Sequence, residues 1–301
     1  MLICDLLNKN SISLYNCDGL QVNSKEFSLF NDKTFTLDEL EELVSLIHQN
    51  NKKVILAIDR IIEEFELNKF YDYLSKVMAL PIDYYSFSDL SVINYVIDNK
   101  LNVKLIYDSK TMSTSFNDCS LYGDLFKRFG NESVVYPIIS NELTLDDVVK
   151  NASATKCGFV LYGYHQIFYS RRLIFNSYIN YKKMMSKGEV ALKLTDKLLH
   201  LQEEFRSEFY PIYQSEFGTF VYNAKKFCAF KEVQELSGLE IYKINGQFIN
   251  EDDLLKVVNI YNTLLRDGYS ESLENELIDL DNNVTKGFLY QESFLLKEGE
   301  K

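Results

Sequence analysis

Between Val160 and Tyr181 the chain reads VLYGYHQIFYSRRLIFNSYINY, and Ser170-Arg171-Arg172 is its chemically loaded centre. Two adjacent guanidinium forks suit a carboxylate or a phosphate, which each can grip bidentately. Their setting is unusual. The chain carries a net charge of −12, yet no Asp or Glu occurs between Val148 and Gly188, where Lys150, Lys156, Arg171, Arg172, Lys182, Lys183 and Lys187 lie. The same arginines could instead pair with surface carboxylates, an arrangement worth little energy. Asp59 and Glu142 are candidate acid and base, and each could equally cap a following helix.

Other catalytic patterns are weak. His48 falls at a helix end, where an imidazolium complements the dipole. His165 lies beside the arginines without a nearby cysteine or second histidine, and His200 alternates in a strand as an outward-facing residue. No metal site is expected from them. Ser170 lacks a Gly-x-Ser-x-Gly context, and neither a Walker loop nor GxGxxG is present. Cys4, Cys17, Cys119, Cys157 and Cys228 are scattered and never form a CxxC pair, which reads as reduced, mostly buried thiols.

Composition narrows the class. Hydrophobic residues make up 46% of 301 and charged residues 25%, enough for a large core. No apolar run reaches membrane-spanning length, and MLICDLL lacks the basic start and cleavage site of a signal peptide, so a cytoplasmic protein without membrane contact is expected. The acidic balance argues against polyanion binding over the whole surface, so any phosphate-bearing partner must meet a local patch.

The elements that would position these residues alternate. Strands are expected at 2–7, 20–23, 53–59, 82–88, 103–108, 133–139, 157–163 and 239–245, several almost continuously apolar, as for strands covered on both faces. Helices fit between them: Thr36-Leu37-Asp38-Glu39 is a capping box, Asp89 and Thr144 can cap short helices, and Asn250 opens a long one ending near Gly268. Eight strands in βα alternation predict an α/β fold, a (β/α)8 TIM-like parallel barrel, with chemistry at the C-terminal strand ends. The pause before the last strand holds KLLHLQEEF and YPIYQSEFGTFVY, an inserted antiparallel ribbon at about 190–223. A barrel over 1–268 and an acidic C-terminal extension over 269–301 complete the expected organisation.

The opening stretch is similar to the signature of the collagenase-like peptidases, peptidase family U-thirty-two. There a strand leads into His-Gly-Ala-x-Cys, a Ser-Arg-Arg or Ser-Gly-Arg-Cys run, and Leu-x-Ser-Asn-Tyr. KEFSL (25–29), FTLDELEELVSLIHQNNKKVILAID (35–59), FSDLSVI (87–93), NELTLDD (141–147), YPIYQSEFGTFVYNAKKFC (210–228), LEIYKINGQ (239–247) and KGFLYQES (286–293) match in order, nearly full length. The chain resembles the shorter of two paralogues that often occur together in low-GC bacteria. The resemblance implies either peptidase activity or a part in oxygen-dependent hydroxylation, including prephenate-dependent 5-hydroxylation of the tRNA wobble uridine.

Departures from the pattern gather at strand ends. Family arginine becomes Phe30, asparagine becomes Asp59, Thr-Glu-Thr becomes Ser109-Lys110-Thr111, and Arg-Glu-Leu-Ser becomes Asn141-Glu142-Leu143-Thr144. The His of His-Gly is Tyr162, the cysteine four residues later is Gln166, Glu-His-Gly-Thr-His is Glu216-Phe217-Gly218-Thr219-Phe220, and Lys-Ile-Asp-Gly is Lys243-Ile244-Asn245-Gly246. Several relatives hold a four-iron cluster through cysteines. An amide cannot replace a thiolate there, so no cofactor is expected in this chain. Glu142, Glu216 and Asp59 stand as candidate catalytic residues. Ser170, Arg171, Arg172, Lys243, Tyr164 and His165 stand as substrate-binding ones. Tyr162, Tyr164, Phe168 and Tyr169 could stack on a ring or base or simply pack under the loop. The implied partners are a cluster-bearing paralogue, tRNA, and a small carboxylate such as prephenate. A noncatalytic, degenerate paralogue is the remaining alternative.

Overall fold

The structure is a computed structural model and describes residues 1–29, 33–110, 113–185, 199–202, 204–205 and 207–291. The strands are β1 (Leu2–Asp5), β2 (Gly19–Ser24), the short β3 (Thr34–Phe35), β4 (Lys53–Ile58), β5 (Tyr84–Phe87), β6 (Lys104–Tyr107), β7 (Val134–Ile139), β8 (Gly158–Gly163), β9 (Gln166–Ser170), β10 (Leu199–Leu201), β11 (Tyr210–Ser215), β12 (Gly218–Tyr222), β13 (Lys226–Cys228), β14 (Ile241–Ile244) and β15 (Val284–Thr285). Eight of them run parallel in the order β14-β1-β2-β4-β5-β6-β7-β8, and a β14–β8 pairing closes the ring. This is the expected eight-stranded barrel, with each predicted strand in place.

Alternation along the strands explains the two cores. Ile3, Ile55, Ile106, Ile138, Val160 and Ile241 form an inner cluster inside the ring. A larger cluster packs outside it, beneath the helices. Those helices are α1 (Leu37–Gln49), α2 (Leu67–Val77), α3 (Ser91–Asp98), α4 (Phe116–Asp124), α5 (Leu145–Ala152), α6 (Ile174–Met185), α7 (Glu251–Asp267) and α8 (Glu271–Leu280). Local signals start and stop them. Glu39 accepts from the Thr36 N–H and hydroxyl at 2.8 Å each, and the Asn250 side chain accepts from the Asp253 N–H at 3.0 Å. Helix α1 buries Leu40, Leu43, Val44 and Ile47, and α7 buries Leu254, Val257, Val258, Tyr261 and Leu264. His48, at the end of α1, meets Asp83 at 2.8 Å.

Residues after α8 are held on the barrel by polar clamps. Tyr162 donates a hydrogen bond to Asp281, and the fully buried Glu232 receives Lys286 at 2.9 Å and the Tyr290 hydroxyl at 2.8 Å.

The chain divides into two compact units, Met1–Gly163 with Phe227–Lys301, and Tyr164–Lys226. The second is an antiparallel sheet in the order β10-β11-β12-β9, joined by α6. Its β11–β12 hairpin pairs Ser215 with Gly218. The side chains of Thr219 and Gln214 accept the first N–H groups of α6, from Ile174 at 3.1 Å and Phe175 at 2.8 Å.

Candidate functional site

The alternation that puts isoleucines in the middle of the barrel puts polar residues at the C-terminal ends of the same strand faces. Two residues beyond Ile3, Ile106, Ile138 and Ile241 come Asp5, Asp108, Ser140 and Lys243, and four beyond Ile55 comes Asp59. From β2 the corresponding residues are Gln21 and Asn23. All seven are buried.

Asp59, Asp108 and Lys243 are joined through Lys110, and Asp5 pairs with Gln21 beside them. The Lys243 ammonium meets Asp108 Oδ2 at 2.7 Å. Lys110, just past β6, reaches the same oxygen at 3.0 Å and Asp59 Oδ2 at 3.2 Å. The other Asp59 oxygen accepts from the Ser28 hydroxyl at 3.1 Å and the Leu29 N–H at 2.9 Å. Asp5 accepts from the Gln21 amide and from the Gly246 N–H, both at 2.7 Å. Lys110 takes a left-handed backbone, φ 66°, which costs a lysine about 1 kcal/mol or more and aims its side chain at both carboxylates.

Electrostatics fix the protonation states. Burial works against ionising Asp108, but Lys110 and Lys243 outweigh it and hold its carboxyl well below the usual range. Burial likewise opposes the Lys110 charge, and Asp108 and Asp59 overcome that, pushing it above the ordinary lysine range. Burial raises Asp5 despite Lys243 and the Gly246 N–H. Lys110 is therefore a permanent ammonium rather than an amine nucleophile, and it is the cation of the network that meets solvent, its side chain 27% exposed. Such an ordered array can orient a small polar substrate and stabilise negative charge that develops on it. Among the described residues, the Gln21 carbonyl and the Asn23 amide N–H2 have no hydrogen-bond partner. An acceptor and a donor thus stand two residues apart at the same end of β2.

Of the residues singled out from sequence, the barrel joins Asp59 and Lys243 through Lys110 and Asp108. Glu142 is exposed after β7, its N–H donating to Ser140 Oγ at 3.2 Å. The remaining candidates belong to the antiparallel unit. Glu216 is exposed in the β11–β12 turn, and Arg171 and Arg172 are exposed after β9. Ser170 Oγ accepts from the Arg172 N–H at 3.2 Å. The Lys226 ammonium lies 5.1 Å from the Tyr164 ring centroid, and the His165 carbonyl accepts from the Asn223 N–H at 2.8 Å. Sequence reasoning gives no role to Asp5, Gln21, Asn23, Asp108 or Lys110, although Lys110 falls at one of the departures from the family pattern. Their signal is a polar residue ending each apolar strand run.

Position 166 holds glutamine where the family pattern has cysteine, and an amide cannot replace a thiolate on iron. Among the described residues no three Cys, His, Asp or Glu side chains are placed to hold a metal. Cys4, Cys119, Cys157 and Cys228 are buried in β1, in α4, before β8 and in β13. Burial pushes the Cys119 thiol up to about 11 and Cys157 to about 12, so these thiols stay protonated.

Comparison with known proteins gives the family. The chain is 22% identical over 275 residues to tRNA hydroxylation protein P2 of Bacillus subtilis, covering 86% of each chain. It is 23% identical over 273 residues to the uncharacterized protease MJ0090 of Methanocaldococcus jannaschii, covering 86% of this chain and 64% of that protein. The solved U32 peptidase Mk0906 aligns with a TM-score of 0.48 and 11% identity, over 81% of this chain and 91% of the other. The model of peptidase family U32 matches residues 12–298, and the chain belongs to that family.

Proposed function

We propose that this chain serves tRNA hydroxylation, at position 5 of the wobble uridine, as a subunit beside a cluster-bearing paralogue. The observation that carries this reading is the match to tRNA hydroxylation protein P2 along 86% of both chains. The site chemistry supports it. The ordered array of Asp5, Asp59, Asp108, Lys110 and Lys243 suits binding and orientation of a small polar substrate, with Lys110 as the contact for a carboxylate such as that of prephenate. The buried thiols and the glutamine at position 166 support a reading in which the iron–sulfur chemistry belongs to the partner. No helix among the described residues is long and apolar enough to cross a membrane.

Nucleoside mass spectrometry of total tRNA from a strain lacking this chain tests the proposal. Hydroxylated wobble uridine should fall and return when the wild-type chain is restored; an unchanged level would refute it. The family name and the MJ0090 match motivate a peptidase reading. Cleavage of gelatin by the purified chain, abolished by Glu142→Gln, would establish it instead.

A further inference from the structure

The chain's charge is divided between its two units. Residues 164–226 hold ten Lys and Arg against six Asp and Glu, a net +4 inside a chain of −12, which leaves −16 for the barrel unit. At physiological salt, fields reach only about 8 Å, so a polyanion responds to the local sign rather than to the total. It is attracted to this unit and repelled by the other.

Aromatic side chains are exposed on the same unit. Tyr178 and Tyr181 are 51% and 56% exposed and stand three residues apart on α6, hence on neighbouring turns of one face. Phe168 is 46% exposed on β9, which forms an edge of the sheet. Arg171 and Arg172, both exposed, connect β9 to α6. The N-terminal N–H groups of α6 already have side-chain acceptors in Thr219 and Gln214, so phosphate recognition would fall to the guanidinium groups. Rings interleaved with cations are what an unpaired strand needs, because bases stack on the rings while the backbone follows the charges. A duplex keeps its bases inside and would use only the charges.

We infer that residues 164–226 are the RNA-docking unit and that its ligand is a single-stranded RNA loop, gripped by Arg171 and Arg172 and stacked on Tyr178 and Tyr181. This rests on the tRNA reading above for the identity of the RNA and on the charge division for the location.

Fluorescence anisotropy of the full chain with a labelled tRNA anticodon stem-loop, repeated across a salt series, tests it. The Arg171→Glu, Arg172→Glu double variant should lose about tenfold or more in affinity, and its salt slope should fall by about one unit or more. The Arg171→Lys, Arg172→Lys pair should keep the slope. Tyr178→Ala with Tyr181→Ala should weaken binding about tenfold with the slope unchanged. Lys256→Glu, on α7 of the barrel unit, should alter neither. Unchanged affinity and slope in the charge-reversed variant would overturn the inference, as would equal competition by a blunt RNA duplex with no effect of the tyrosine changes. The readout is separate from the nucleoside assay. Docking can fail here while deletion still removes hydroxyuridine, and the variants can lose binding while deletion leaves hydroxyuridine untouched.

Discussion

Lys243 on β14 and Asp108 just past β6 belong to strands that are not neighbours, and their side chains meet inside the barrel with Nζ 2.7 Å from Oδ2. The side chains are 3% and 5% exposed, so water offers no substitute for either partner. Lys243→Met should cost about 3–5 kcal/mol in urea unfolding, because it leaves a buried carboxylate short of one of its two cations. A double replacement, Lys243→Met with Asp108→Leu, should recover part of that loss by removing both charges.

Asp108 and Lys110 set a pH dependence. Asp108 is depressed in the folded state, so its contribution is complete above the unfolded carboxyl value, near pH 4, and is lost as pH falls below it toward the folded value. Lys110 is raised, so its contribution is complete below the unfolded lysine value, near pH 10, and is lost as pH climbs beyond. Asp5, raised by burial, works in the opposite sense and favours the folded state at low pH. The melting temperature should therefore fall off on the acid side below about pH 4 through Asp108 and on the alkaline side above about pH 10 through Lys110, with Asp5 tilting the range just above pH 4 in the opposite sense. In Asp108→Asn the acid limb should be shallower than in the wild type.

Gly163 ends β8 with φ 119°, a region that side-chain-bearing residues avoid. A Cβ there would lie 2.5 Å from the Asn245 carbonyl oxygen. Gly163→Ala should destabilise the chain by about 1–3 kcal/mol from backbone strain alone, with more from the collision, read as a lowered urea midpoint.

Glu232 is fully buried and receives both Lys286 and Tyr290. Burial opposes its ionisation, and those partners hold its carboxyl below the usual range. Lys286→Met should accelerate hydrogen exchange at 284–291 by tenfold or more, since about 1.4 kcal/mol of lost local stability is enough for that factor. Equal exchange in the two proteins would show that apolar contacts such as Leu289 anchor the segment.

The fold was legible because its signals are local. Runs such as KVILAI and GFVLYG announce strands buried on both faces, and Thr36, Thr144 and Asn250 announce helix starts. The edge strand β9 was not separable from the loop after β8. Its partner is β12, about fifty residues further on, and nothing within Gln166–Ser170 encodes that pairing. The site was half legible for a related reason. Asp59 and Lys243 drew notice one at a time, whereas Lys110 acquires meaning only when closure of the ring places two carboxylates around it. Arg171 and Arg172 stood out by composition, and their place in the antiparallel unit depends again on the β9–β12 pairing.

Lys110 is where the account is most exposed, because it is the solvent-reaching cation of the proposed substrate site. The decisive measurement is the hydroxylated wobble uridine in tRNA from a deletion strain carrying Lys110→Gln or Lys110→Arg, with protein abundance matched to wild type. Lys110→Gln should lose tenfold or more and Lys110→Arg should rescue part of that, since about 1.4 kcal/mol of lost binding gives a factor of ten. Full restoration by Lys110→Gln would contradict the role of Lys110 as substrate contact.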